Sequence, residues 1–332
     1  MKAIIPVAGA GTKLRPLTYT QPKPLIPVAG KPIIAYIVDD LISAGITKFI
    51  FVLGYLGEKI KIFLDTNYPM ISKEYVYQEP REGTAHAIWE SVHLINPNEP
   101  LVIQFGDTIL DLNMKLFLST HGSMVGVKRT DNPSAFGVAE INDLKMIERI
   151  TEKPKIPKSN WASVGLYKIQ EVVPFLKSLN YIVEQDIRTH EELHLTDALM
   201  HMLEQGIGFR AFEVDHWWDC GQKDKLLKTN ALLLDKYFMH PAKLPDHQGN
   251  IIIPPVSIGK NCRISDSIIG PHVSIGDHTI IHKSIFWNSI VGNYSELHEA
   301  VMKDSVLGND VLVKGFSQSL NIGDNADIDL SH

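Results

Sequence analysis

Chemistry enters at the very start of the chain, where three cations follow a turn of small residues. Lys2 to Thr18 reads KAIIPVAGAGTKLRPLT and runs on through Gln21-Pro22-Lys23-Pro24-Leu25. Ala3 to Val7 is an apolar run of strand length, and Gly9, Ala10, Gly11 and Thr12 form a turn small enough for a ligand to reach the backbone. Free backbone N–H groups in such a turn make an anion-binding concavity, and Lys13, Arg15 and Lys23 set positive charge around it. A phosphate ligand suits this combination, and a plain structural turn suits the small residues equally well. The stretch contains neither G-x-G-x-x-G nor G-K-[ST], so it is neither a dinucleotide fingerprint nor a Walker loop.

The elements that must position these residues follow in order. Helix-spaced apolar residues over Pro32 to Ala44 stop at Gly45, and Lys48 to Leu53 is a buried strand. Glu58 to Leu64 reads as a helix, Tyr75 to Gln78 as a strand, Thr84 to Leu94 as a helix, and Leu101 to Phe105 as a strand ending at Gly106-Asp107. Strands alternating with helices at this spacing predict right-handed βαβ units and an α/β fold with a doubly wound, mostly parallel sheet. Ligands in such sheets bind at the carboxyl ends of strands, where the Gly9-Ala10-Gly11 turn, Gln78 and Asp107 all fall. Shorter strands from about Ser123 to Phe212 (Met124 to Lys128, Gly137 to Ile141, Ala162 to Ile169) predict an antiparallel extension covering that end, with a helix over Thr196 to Glu204. Lys223 to Phe238 is an amphipathic helix, and His240 to Gln248 is the candidate linker between a domain of residues 1–240 and one of 241–332.

Beyond the linker the period changes. Val256-Ser-Ile-Gly, Ser267-Ile-Ile-Gly, Val273-Ser-Ile-Gly, Ser289-Ile-Val-Gly and Ser305-Val-Leu-Gly place aliphatic residues at intervals of about six, the hexapeptide signature of a parallel β-helix. Each aliphatic is expected inside a stacked core and each glycine at a corner, with Trp287 and Tyr294 interrupting the pattern. His282 and His298 lie about one coil apart and are expected to stack on one face.

Composition bounds the classes. With 332 residues, 44% hydrophobic and 21% charged, the chain has the make-up of a globular protein of about two domains. No apolar run reaches the roughly 18 residues of a membrane span and no basic-then-apolar leader precedes the first strand, so the expectation is a cytoplasmic protein with no membrane partner. Cys220 and Cys262 stand apart from any Cys/His cluster, which indicates neither a disulfide framework nor a zinc site. A net charge of -6 argues against nucleic acid while allowing local basic pockets.

Taken with these residues, the chain resembles the sugar-1-phosphate nucleotidylyltransferases through nearly its whole length. Within them it is most similar to glucose-1-phosphate thymidylyl- or uridylyltransferases that carry a C-terminal left-handed β-helix. Gly9 to Thr18 is similar to the family's G-x-G-T-R-L-x-P-L-T, and Pro22 to Leu25 reproduces its P-K-P-L. The resemblance implies that this loop and Lys23 hold a nucleoside triphosphate, that Gln78, near Gly83 and Thr84, pairs with a pyrimidine base edge, and that Asp107 holds Mg²⁺. Phe136-Gly137-Val138 resembles the glycine strand facing the sugar, and Val164-Gly165-Leu166-Tyr167 the strand behind it. Glu152-Lys153-Pro154 matches the E-K-P whose glutamate binds sugar hydroxyls and whose lysine binds the sugar phosphate. Leu195-Thr196-Asp197-Ala198 matches L-T-D-A, and Trp218-Asp219-Cys220-Gly221 matches the segment giving a second metal carboxylate, Asp219. Two positions depart from the pattern: Lys13 stands where the family has arginine, and Ala8 replaces a frequent glycine.

The implied reaction is nucleotidyl transfer from dTTP or UTP to a sugar 1-phosphate, with glucose 1-phosphate expected, giving an NDP-sugar and pyrophosphate. Joining two anions is a task of charge neutralisation and alignment, which two carboxylates with Mg²⁺, Lys153 at the attacking phosphate, and Lys13 with Lys23 at the departing pyrophosphate can perform. Three competing readings exist. Lys13, lacking the arginine fork, permits a retired NDP-sugar-binding regulator; a GTP-dependent mannose-1-phosphate guanylyltransferase shares the same parts; and the β-helix permits acyl transfer, for which it is short. The exposed end of a short hexapeptide stack predicts a homo-oligomer.

Overall fold

In the computed structural model, which describes residues 1–237 and 249–315, strand β1 (Lys2–Pro6) lies between two parallel neighbours, β2 (Lys48–Leu53) and β4 (Leu101–Gln104). Strand β3 (Ser72–Tyr77) extends this parallel group on the far side of β2. The inner strands β1, β2 and β4 are buried on both faces and therefore read as continuous apolar runs, unlike the edge strand β3; Ile4, Ile5, Ile50, Val52 and Ile103 have no exposed surface. Burying each such side chain contributes roughly 1.5–3 kcal/mol. The crossovers are α1 (Ile33–Ser43), α2 (Gly57–Asn67) and α3 (Thr84–Trp89), the last followed by a short 3-10 turn at Val92–Leu94 where the sequence predicts continuous helix.

The chain continues through β5 (Thr108–Asp111), α4 (Met114–Ser119), β6 (Met124–Arg129), β7 (Gly137–Ile141), β8 (Met146–Glu152), β9 (Trp161–Ile169), α5 (Val172–Glu184), α6 (Leu195–Glu204), β10 (Phe209–Glu213), β11 (His216–Asp219) and α7 (Lys223–Tyr237). The middle strands do not cap the sheet as expected. They prolong it edge to edge into nine strands ordered β3-β2-β1-β4-β9-β6-β10-β8-β7, with β9 antiparallel to both β4 and β6. The reason is burial: Val125, Val127, Ala139, Ile150, Tyr167 and Phe209 join the same apolar core as Ile4 and Ile103. What lies beside the strand ends instead is the separate two-stranded β5–β11 ribbon, pairing Thr108 with Asp219.

The described residues divide into two compact units, Met1–Thr229 and Asn230–His332, the division falling within α7. The expected boundary at 240/241 and the linker His240 to Gln248 lie outside the described residues. The second unit holds the left-handed parallel β-helix, built of three parallel four-stranded sheets. One pairs Ile251, Ile268, Ile285 and Val301 in successive rungs, and the others stack Val256, Val273 and Ser289, and Ile264, Ile281 and Leu297. Inside it the repeat's serine hydroxyls join the rungs: Ser284 N donates to Ser267 Oγ, Ala300 N to Ser284 Oγ and Ser305 N to Ser289 Oγ.

The corner residues in the left-handed region are mostly not glycines. Asn261, Asp266, His272, His278, Lys283 and Asn288 have φ between 43° and 60°. The repeat glycine answers to crowding instead, since a Cβ at Gly276 would stand 2.6 Å from Asn293 N. Trp287 and Tyr294 do not break the coil. Trp287 ends a regular strand facing outward, and Tyr294 turns a corner with its ring stacked on His278 at 4.9 Å. His282 and His298 are register partners, 6.4 Å between ring centres. Ile281→Ala, which empties a fully buried rung position, is expected to cost about 2–5 kcal/mol, measurable as a lowered urea midpoint for this unit.

Candidate functional site

Because β1, β3 and β4 are parallel, their carboxyl ends open on one edge of the sheet, and a cavity of about 440 Å³ lies there. Its wall carries Gly9, Ala10 and Gly11 after β1, Gln78 after β3, and Gly106 and Asp107 after β4, with Lys23, Gly83 and Thr84. The turn after β1 takes its shape from Gly11, whose φ of 62° starts a 3-10 turn over Thr12–Leu14, with Thr18 Oγ1 donating to Gly11 O at 2.9 Å. Among the described residues, the N–H groups of Gly9, Ala10, Gly11 and Thr12 donate to no protein acceptor, as an anion-binding turn requires.

Lys23 Nζ lies 2.7 Å from Asp107 Oδ2 and joins the first loop to the third. Burial disfavours charge on both groups. For Asp107 the Lys23 ammonium overrides it and holds the carboxyl below its usual range, while Asp107 and then Asp219 keep the Lys23 ammonium above its own. A lysine with a raised pKa adds stability that is lost as pH rises through that value. An aspartate with a lowered pKa adds stability lost as pH falls through its own, so the pair holds across the neutral range.

The ribbon pairing places Asp219 opposite Thr108, beside Asp107, and Lys225 Nζ sits 2.6 Å from Asp219 Oδ2. Among the described residues no three His, Cys, Asp or Glu side chains converge as a metal cage. Asp107 and Asp219, each paired with a lysine, line the second cavity together, and two carboxylates side by side are a donor set that suits a hard divalent cation completing its shell with phosphate and water oxygens. Directly after Asp219, Cys220 is fully buried with its N–H on Asp107 O, and burial pushes its thiol up to about 12, which removes it as a nucleophile.

A second cavity of about 260 Å³ shares Thr84, Phe105, Asp107 and Glu192 with the first. Gly137, Glu152, Lys153, Gly165 and Asp219 line it. Gly165 has φ 77° at the irregularity of β9, and a Cβ there would stand 2.8 Å from Phe105 Cδ2, so only glycine lets this strand close behind the cavity. Glu152 Oε2 accepts from Thr196 Oγ1 at 3.0 Å, and Lys153 Nζ is 3.6 Å from Glu152 Oε1. His194 Nε2 and Trp217 Nε1 line the same space as buried polar atoms lacking a hydrogen-bond partner among the described residues. Unspent donors and acceptors of this kind suit a ligand rich in hydroxyls.

The fold thus brings thirteen of the sequence-derived candidates' neighbourhoods to two adjoining walls, but Thr12, Lys13 and Arg15 line neither. They are exposed, and the Arg15 guanidinium lies 5.1 Å from the Tyr19 ring centre. Arg81, Glu192, His194 and Ser163 are wall residues that the motifs did not single out. Glu192 and His194 precede the L-T-D-A segment directly, which was the available signal.

A mixed α/β sheet with a turn suited to an anion, a carboxylate pair and a second wall of unpaired polar atoms fits a nucleotidyl-transferring protein. Accordingly, residues 2–236 match the Nucleotidyl transferase family, and the chain belongs to it. Over 243 residues it is 32% identical to "Low-salt glycan biosynthesis nucleotidyltransferase Agl11" of Haloferax volcanii, covering 71% of this chain and 66% of that protein. It is 35% identical to the "Bifunctional protein GlmU" of Methanocaldococcus jannaschii over 71% of this chain and 55% of that protein. The match therefore spans about half to two thirds of these relatives' lengths. A Bacillus anthracis chain described as a glucose-1-phosphate thymidylyltransferase in complex with sucrose superposes with a TM-score of 0.60 at 30% identity, over 70% of this chain and 94% of that one.

Gly83 closes the wall of the first cavity against the Leu193 segment, with φ 119° and an added Cβ only 2.4 Å from Leu193 O. Gly83→Ala is expected to cost at least about 1–3 kcal/mol, seen as a lower melting temperature, and to weaken nucleoside triphosphate binding in calorimetry.

Proposed function

We propose that the protein transfers a nucleotidyl group from dTTP or UTP to a sugar 1-phosphate, with glucose 1-phosphate the favoured acceptor, in an Mg²⁺-dependent reaction in the cytoplasm. The observation that carries this reading is that both walls share Asp107. A triphosphate on the Gly9–Gly11 turn and a sugar phosphate beside Lys153 would meet there.

An oxygen of the sugar phosphate attacks the α-phosphorus in line, a new P–O bond forms, the α–β bridge breaks, and pyrophosphate leaves. Glu152, oriented by Thr196, holds sugar hydroxyls, while Lys153 steadies the attacking phosphate as a point charge. The Gly9–Gly11 N–H groups and Lys23 hold the departing phosphates. Asp107 and Asp219 would hold Mg²⁺, which would supply neutralisation of phosphate oxygens when bound. Transfer is assigned to residues 1–240. Residues 241–332 are assigned to assembly, and the outward ladder of Ile251, Ile268, Ile285 and Val301 supports a homo-oligomer. The exposed setting of Lys13 and Arg15 favours a second reading, an NDP-sugar-binding regulator without turnover.

A matrix of nucleoside triphosphates against sugar 1-phosphates, read by pyrophosphate release, is expected to respond to UTP or dTTP with glucose 1-phosphate and only with magnesium. Asp107→Asn and Asp219→Asn should each remove most of that turnover with the fold kept by circular dichroism, and Asp107→Asn should also lower the melting temperature because buried Lys23 loses its partner. Preference for GTP or ATP would overturn the assignment of Gln78, and binding of an NDP-sugar without any pyrophosphate release would establish the regulator.

Lys13 is exposed and lines neither wall, but it directly follows the Gly9–Thr12 turn; if it reaches the phosphates held there, Lys13→Ala is expected to lower kcat about 100- to 1000-fold with a smaller effect on KM, as for a donor to charge that develops in the transition state. A larger loss in Arg15→Ala would transfer that role to Arg15, and full activity in both variants would leave Lys23 as the cation at the leaving group.

A further inference from the structure

The Gln78 side chain is 5% exposed and its amide is not free to turn. Its Nε2 lies 2.9 Å from the Gly83 carbonyl oxygen, an atom that only accepts, so the amide atom facing it is the nitrogen. The same Nε2 lies 3.2 Å from His86 Nδ1. A nitrogen that donates to Gly83 has only N–H to offer His86 as well, and His86 Nδ1 must therefore carry a lone pair. That places the imidazole proton on Nε2, which faces Glu90 Oε1 at 3.3 Å and Glu82 Oε2 at 4.0 Å. Glu82 is held in turn by Arg188 at 3.3 Å. The His86 ring is itself buried and stacked on Trp89, 5.8 Å between centres and 20° from parallel.

We propose that His86 is a positioning residue that sets base preference by fixing which end of the Gln78 amide faces the nucleotide cavity. This rests on the reading above that Gln78 meets the base. With both amide hydrogens directed at Gly83 O and His86 Nδ1, the oxygen is the atom left for the cavity that Gln78 lines. An acceptor there selects a base with an N–H at the pairing position. Uracil and thymine present N3–H, whereas cytosine in the same pose sets the N3 lone pair against the amide oxygen. Two acceptors holding one nitrogen make the reversed amide doubly unfavourable, because it would oppose its oxygen to the Gly83 carbonyl and to the His86 lone pair. The histidine touches no substrate and acts only through Gln78.

The test measures UTP and CTP dissociation constants by calorimetry on the full chain, for the parent protein and for His86→Phe, His86→Leu and His86→Asn. His86→Phe keeps a ring against Trp89 without an acceptor, and His86→Asn offers Oδ1 where Nδ1 stood. The parent is expected to favour UTP. The two apolar variants should shrink that preference by about tenfold, the scale of one lost buried hydrogen bond, while His86→Asn retains it to within about threefold. An unchanged preference in His86→Phe overturns the proposal, as does a loss in His86→Asn as large as in His86→Phe, which would mark a packing role. Nitrogen NMR of the parent decides it even where the apolar variants fail to fold. A proton on Nε2 agrees with the proposal and a proton on Nδ1 overturns it. If the parent binds a purine triphosphate in preference to UTP and dTTP, the base assignment itself fails, whatever the tautomer.

Discussion

One contact ties the catalytic edge together: the Lys23 ammonium on the Asp107 carboxylate. It spans 84 positions of sequence and joins the loop leaving β1 to the loop leaving β4. Each partner would resist ionisation alone at a partly desolvated site, and each ionises because the other does. The pairing also keeps a carboxylate charged and a cation close at the point where the proposed reaction would receive a polyphosphate. On that proposal, a neutral pair would neither hold a divalent cation nor meet departing pyrophosphate.

Around that contact the two walls divide their chemistry. The wall proposed for the nucleotide is largely small residues, unused N–H groups and one oriented amide, suited on that reading to an anion and a base edge, with Lys23 and Arg81 as its cationic side chains. The second wall is mostly side chain, with Glu152 steered by Thr196 and with His194 and Trp217 holding buried polar atoms in reserve. Glycine marks the close approaches in both, at Gly83 against the Leu193 backbone and at Gly165 against Phe105.

The β-helix follows a different economy. Its apolar rungs are short and its coils tight, so the backbone at each corner needs local partners, which buried serines and corner asparagines provide, as in Asp277 N on Asn293 Oδ1 and Asn293 N on Asn309 Oδ1. The repeat is therefore as much a polar pattern as an apolar one.

Much of this was legible in the residues themselves. Continuous apolar runs identified β1, β2 and β4, because strands buried on both faces carry no polar alternation, and the period of about six identified the coil stack, because each rung repeats the same environment. The turn of Gly9 to Gly11, Gln78 and Asp107 could be placed at one edge of the sheet because right-handed crossovers bring parallel strand ends together. Local sequence could not decide contacts between distant segments. That the middle strands prolong the sheet rather than cover it depended on which apolar faces found a shared core. Lys13 and Arg15 carry the same charge as Lys23, and only the path of the 3-10 turns sends them to the surface while Lys23 points at Asp107. Likewise Glu192 and His194 became wall residues because Leu193 between them pairs its backbone with Glu82 and Ala85 on either side of Gly83, a contact made across more than a hundred positions. Charge and small size are written in the chain one residue at a time; which of them share a cavity is set by tertiary packing, since that packing alone fixes distance.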